Sequence, residues 1–183
     1  VGDVVAQMIT AEAQFNEQRA QIRRAAGRED WATAVSLIDE QIAANDGDVS
    51  LLRKKFDMLA TAKRDSNAAV EVGREIAARV HDDARALNNF AWALLTDDKY
   101  GDGYTALALE MSARSNDLTQ HENWAYMDTL AWAEFKSGRA KEAVEIQEKA
   151  IALAGEGRSA ELRESLKQFQ AAAADGEVAT GHH

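Results

Sequence analysis

The stretch LAWAEFKSGRAKEAVEIQEKAIAL, residues 130–153, decides the fold. Met127, Leu130 and Ala131 lie three and four residues apart, the spacing of one helix face. Ala143 and Ala150 lie seven apart, two helical turns, on the other side of the stretch. Between them KSGR, residues 136–139, interrupts both patterns with a glycine that helix interiors avoid. The stretch therefore reads as helix, turn, helix. Its start also has an echo: TLAWAEF at 129–135 matches NFAWALL at 89–95, forty residues earlier.

Working outward, the alanine that opens each second helix recurs. Ala34, Ala69, Ala106 and Ala143 are separated by 35, 37 and 37 residues. Seven positions after each stand Gln41, Ile76, Ala113 and Ala150. Gly, Asp, Asn and Ser cluster between the segments, at 25–30, 44–48, 63–67, 96–103, 136–139 and 154–159. Such residues cap helices or supply the left-handed residue that ends them. The expected helices run over 3–26, 31–45, 48–62, 66–80, 84–96, 103–115, 122–137, 140–154 and 158–173. A lone hairpin cannot bury its apolar face, so stacked neighbours must supply the core.

Composition agrees. The 183 residues contain no proline, are rich in alanine, and show no alternating β-branched tracts. Proline would interrupt helices and alanine favours them. The chain reads as all-α. A net charge of −10 works against general nucleic-acid binding, because phosphates repel an acidic surface. No segment approaches the length of apolar residues that a membrane-spanning helix needs. The absence of cysteine excludes disulfides, thiol nucleophiles and thiolate metal sites. The chain begins at Val1 without methionine, as a mature product or a fragment of something longer would. The ending TGHH resembles the start of a purification tag, and 177–183 is expected to be a disordered tail.

The stretch at 130–153 resembles a tetratricopeptide repeat. Leu130 and Ala131 match its first-helix pair, Gly138 its turn, Ala143 the start of the second helix and Ala150-Ile151 its end. The unit FAWALLTDDKYGDGYTALALEMSAR fits with about three extra residues in its turn. The first two units carry Trp31, Ala34 and Ile38 but have Glu29 and Arg64 where the turn glycine belongs. The repeat-ending proline is missing throughout. The resemblance implies a right-handed superhelix of about four hairpins, at about 3–46, 48–81, 84–117 and 122–155, closed by a capping helix at 158–173. These would form one domain over 1–176. HDDARALNNFAWALL, YGDGYTALALEMSA and YMDTLAWAEFKSGRAKEAVEIQEKAIALA, within residues 81–154, further resemble a bacterial subgroup sometimes appended to thioredoxin-like, extracytoplasmic disulfide reductases. That likeness implies a periplasmic setting and a catalytic domain outside this chain; without it a cytoplasmic setting is expected.

Residues of chemistry are few. His81 precedes Asp82 and Asp83, which reads as a metal-ligand cluster or as a helix-terminal histidine followed by an Asp cap; the cap is expected. A calcium loop in DDKYGDG fails because Tyr100 and Leu109 stand at ligand positions. No nucleophile–base pair or phosphate loop is present, so no enzyme, cofactor or metal is expected.

What remains is a surface for partners. The resemblance puts the first helix of each hairpin on a concave face. In this register that face carries Arg19 and Arg23, then Lys54, Lys55 and Met58, then Arg85, Asn88, Asn89 and Trp92, then Asp128, Trp132 and Lys136. It is basic at one end and aromatic at the other, in an acidic protein. Local cations attract carboxylates and aromatics supply contact area, so an acidic or C-terminal peptide is the expected partner. Trp92 and Trp132 read either as ligand contacts or as packing between hairpins. A second expectation is self-association through the first helix, where Val4, Val5, Met8, Ile9, Ala13 and Phe15 are broader than one packing stripe.

Overall fold

The computed structural model describes residues 2–45 and 47–180; the side-chain surroundings of 1–12, 14, 15, 158 and 176–180 lie outside the described residues. The elements are α1 (Gly2–Gly27), α2 (Trp31–Ala44), α3 (Val49–Asp57), a π-helical turn (Met58–Lys63), α4 (Ser66–Arg79), α5 (Ala84–Thr96), a 3-10 turn (Gly101–Tyr104), α6 (Thr105–Leu118), α7 (Trp124–Lys136), α8 (Ala140–Ala154), a 3-10 turn (Glu156–Arg158) and α9 (Ser159–Thr180). The fold is all-α, with no strand among the described residues.

Acidic and amide caps set the helix starts. Asp30 accepts from the backbone N–H of Thr33 at 3.2 Å, Asp83 from that of Ala86 at 2.9 Å, and Asn123 from that of Ala125 at 3.0 Å. Each satisfies an amide that has no partner inside its helix. Asp83, not Asp82, caps α5, while His81 Nδ1 lies 3.1 Å from the carbonyl of Ala78.

The turn inside each hairpin is the second local device. Glu29 has φ 58°, Arg64 φ 54° and Gly138 φ 81°, and each stands five residues before its buried alanine, Ala34, Ala69 or Ala143. Glu29 and Arg64 thus adopt the left-handed conformation for which a glycine is the usual choice. A side chain there costs about 1–2 kcal/mol.

The third hairpin corrects the register. Ala106 is exposed and Ala113 only half-buried, whereas Ala108 and Ser115 are fully buried. The buried set is therefore Ala34, Ala69, Ala108 and Ala143, followed seven residues on by Gln41, Ile76, Ser115 and Ala150. Ala91 to Ala108 is 17 residues and Ala131 to Ala143 is 12, so the third turn holds five extra residues, not about three. The extra length is used: Tyr104 folds back and is 3 % exposed, with Tyr100 edge-on to it at 6.0 Å. α6 consequently starts later than expected. α9 also runs beyond the expected 173, while the histidines of the tail, 182 and 183, lie outside the described residues.

The chain divides into two compact units, residues 1–76 and 77–183. In the first, α1 packs on α2 and α2 on α3, around Ala34, Ile38, Leu52 and Phe56. In the second, α5 packs on α6 and α7, α6 on α7, α7 on α8, and α8 on α9. Its core runs through Leu87, Phe90, Ala91, Met111, Leu130, Ala131 and Phe169.

Candidate functional site

α7 places Trp124, Asp128 and Trp132 four residues apart, on one stripe that spans about 12 Å along the helix. The stripe forms one wall of a surface pocket of about 580 Å³. Trp92 of α5 forms a second wall, and Glu161 and Ser165 of α9 a third. Pockets of this volume suit a small molecule or a few peptide residues.

The two tryptophans of the Ala-Trp echo meet this pocket differently. Trp92 is 39 % exposed, a large apolar surface left to water. Trp132 is half-buried: its ring stands edge-on to Phe169 at 5.0 Å and to Phe135 at 5.8 Å. Phe169 is fully buried among Ala131 and Ala143, with Val144 and Ile146 at the margin. Packing thus holds one side of Trp132 in place while its remaining surface borders the pocket. Trp132 thus packs on Phe169 and borders the pocket at the same time.

Gln147 ties the walls together. This fully buried α8 residue donates to Asp128 Oδ1 at 2.7 Å and to the carbonyl of Leu162 at 3.2 Å. One amide therefore links α7, α8 and α9 behind the pocket. Burial pushes the Asp128 carboxyl above the usual range; the Gln147 hydrogen bond opposes that shift and the charge of Glu161 adds to it. Relative to the unfolded chain, folding therefore makes Asp128 easier to protonate. The stability that this confers is present at low pH and is lost as pH rises through the ordinary value of 3.8 to the raised one.

The other expected contact residues fall as follows. In residues 1–76, Arg19, Arg23 and Lys54 are exposed and Met58 half-buried, while Lys55 is paired with Asp39 at 2.6 Å. In residues 77–183, Arg85 and Asn89 are exposed and Lys136 is paired with Asp102 at 3.6 Å. Asn88 is buried, 8 % exposed, rather than open to a ligand. Of the expected set, Trp92, Asp128 and Trp132 come together in the pocket. Trp124 and Glu161 were not expected there. The signal for Trp124 was present in the i, i+4, i+8 spacing of Trp124, Asp128 and Trp132. Nothing local signals Glu161, which α9 brings from 33 residues after Asp128. Among the described residues, no three His, Asp or Glu side chains group as metal ligands. The self-association face at Val4, Val5, Met8, Ile9 and Phe15 lies outside the described side chains.

No family model matches the chain. No curated protein matches it. Among solved structures the chain is similar to one described as the crystal structure of MamA protein, with 15 % identity over 92 % of this chain and 95 % of that one and a TM-score of 0.46.

Proposed function

We propose that the chain is a non-catalytic protein-interaction module that docks a segment of a partner protein in the Trp92–Trp124–Trp132 pocket. The observation that carries this reading is the pocket itself: three tryptophans and two carboxylates around one opening, with Trp92 left 39 % exposed. Exposing an indole forfeits burial worth about 25 cal/mol per Å², which a partner recovers. Tryptophan also dominates binding energy at protein contacts, because it buries much area with few rotatable bonds. Helical-hairpin folds present such side chains on rigid elements, so little ordering is needed on docking.

An acidic or C-terminal segment is supported less well as the occupant. Lys55 and Lys136 already have carboxylate partners, Asn88 is buried, and the pocket carries Asp128 and Glu161. A carboxylate placed there would meet like charge.

The test is a titration of the ¹⁵N-labelled protein with amidated decapeptides of basic, neutral and acidic composition. At least one class should move the indole N–H resonances of the three pocket tryptophans, with weaker binding in Trp92→Ala. Unmoved resonances with every peptide, or equal affinities in the variant and the wild type, would sink the docking reading.

A further inference from the structure

The pocket pairs aromatic faces with negative charge. Asp128 sits between Trp124 and Trp132 on α7, and Glu161 comes from α9. Gln147 donates to Asp128 Oδ1, and a carboxylate has a second oxygen with which to accept from a ligand. Among the described side chains, neither carboxylate is paired with a lysine or arginine. That sets them apart from Asp39, Asp102 and Glu134, whose cationic partners are Lys55, Lys136 and Arg139.

An indole face attracts cations through its quadrupole, and tryptophan does so best among the aromatic residues. A carboxylate in a partly dry pocket adds a Coulomb attraction stronger than in bulk water. Both act in the same direction. A neutral apolar group would cover the indoles and leave two carboxylates desolvated with no partner. An anion would be repelled. The net charge of −10 further raises the local concentration of cationic segments around the molecule.

We infer that the pocket takes a basic side chain, arginine or lysine, projecting from an extended segment of a partner protein, with the indoles flanking the cation and Asp128 and Glu161 neutralising it. This rests on the docking reading above and names its partner chemistry.

The probe is an acetylated, amidated alanine–arginine–alanine tripeptide, compared with its citrulline counterpart, which is nearly isosteric and neutral. Binding is followed by the indole N–H resonances of the full chain. The arginine peptide should bind about tenfold more tightly than the citrulline one. Asp128→Asn should remove most of that preference and leave the citrulline peptide unchanged. Glu161→Gln, at an exposed position that does not threaten folding, should reduce it more modestly. Equal affinity for the two peptides, or a preference that survives both substitutions, overturns the cationic assignment while docking stands. A pocket that responds to neither tripeptide but does respond to neutral or acidic decapeptides also overturns it. No response to any peptide removes both readings.

Discussion

The α5–α6 and α7–α8 hairpins are two copies of one unit that differ in what covers them. Both carry a buried apolar–alanine pair followed by tryptophan: Phe90, Ala91 and Trp92 in one, Leu130, Ala131 and Trp132 in the other. The α7–α8 hairpin is covered by α9, whose Phe169 packs on Trp132 and Phe135. Trp92 is 39 % exposed. The turns differ as well: Gly138 makes a tight left-handed turn in the second copy, where the first runs through a longer loop that seats Tyr104. A repeat therefore fixes what a residue can do less firmly than its neighbours in space do. The same tryptophan position is a wall in one copy and both a wall and a core contact in the other.

The largest break in this comparison comes from removing the cover. Phe169→Ala should destabilise the protein by about 3–5 kcal/mol, because it opens a cavity between α7, α8 and α9. Chemical denaturation followed by circular dichroism reads this directly. The fluorescence of Trp132 should shift to the red at the same time, as its ring loses Phe169 and meets water. A loss below 1 kcal/mol would mean that α9 does not hold the hairpin.

The tryptophans themselves come next. Trp132→Ala should cost about 2 kcal/mol, since most of its surface is already packed, and Trp92→Ala less than about 1 kcal/mol. Equal losses in the same denaturation experiment would erase the distinction between the copies.

The smallest effect concerns the turns. Gly138→Ala should destabilise by about 1 kcal/mol through backbone strain alone, because nothing lies within 4 Å of the added carbon. At the matching position of another hairpin, Arg64→Gly should stabilise by about 0.5 kcal/mol, the relief of the left-handed strain less the entropy that glycine adds to the unfolded chain. The difference in sign is the informative result, and paired melting curves measure it. A destabilised Arg64→Gly would show that the arginine side chain contributes more than its backbone costs.

Much of the architecture was legible because it is local. Apolar spacing, Asp and Asn caps and the glycine at 138 act within a turn or two of helix. The hairpins and the all-α class follow from them, and the expected span of α5, 84–96, matches its observed one. Even the missing glycines at Glu29 and Arg64 marked the turn positions, although their left-handed backbone could not be read from side chains that disfavour it. The site was legible only in part. Trp92, Asp128 and Trp132, expected on one face, do line one pocket, but the pocket's own charges disfavour the acidic partner expected for them.

The amino-acid sequence alone determined the helices, their caps, the repeat and the acidic charge, since each depends on contacts between residues close in the chain. Tertiary structure decided the rest. Only packing could show that Ala108 rather than Ala106 is the buried alanine, because the register depends on where Tyr104 is seated. Only packing could bring Glu161 to Asp128 and Phe169 to Trp132, across 33 and 37 residues of chain. Long-range burial, which no local pattern encodes, turned a repeated Ala-Trp pair into one exposed indole and one anchored indole on the walls of the same pocket.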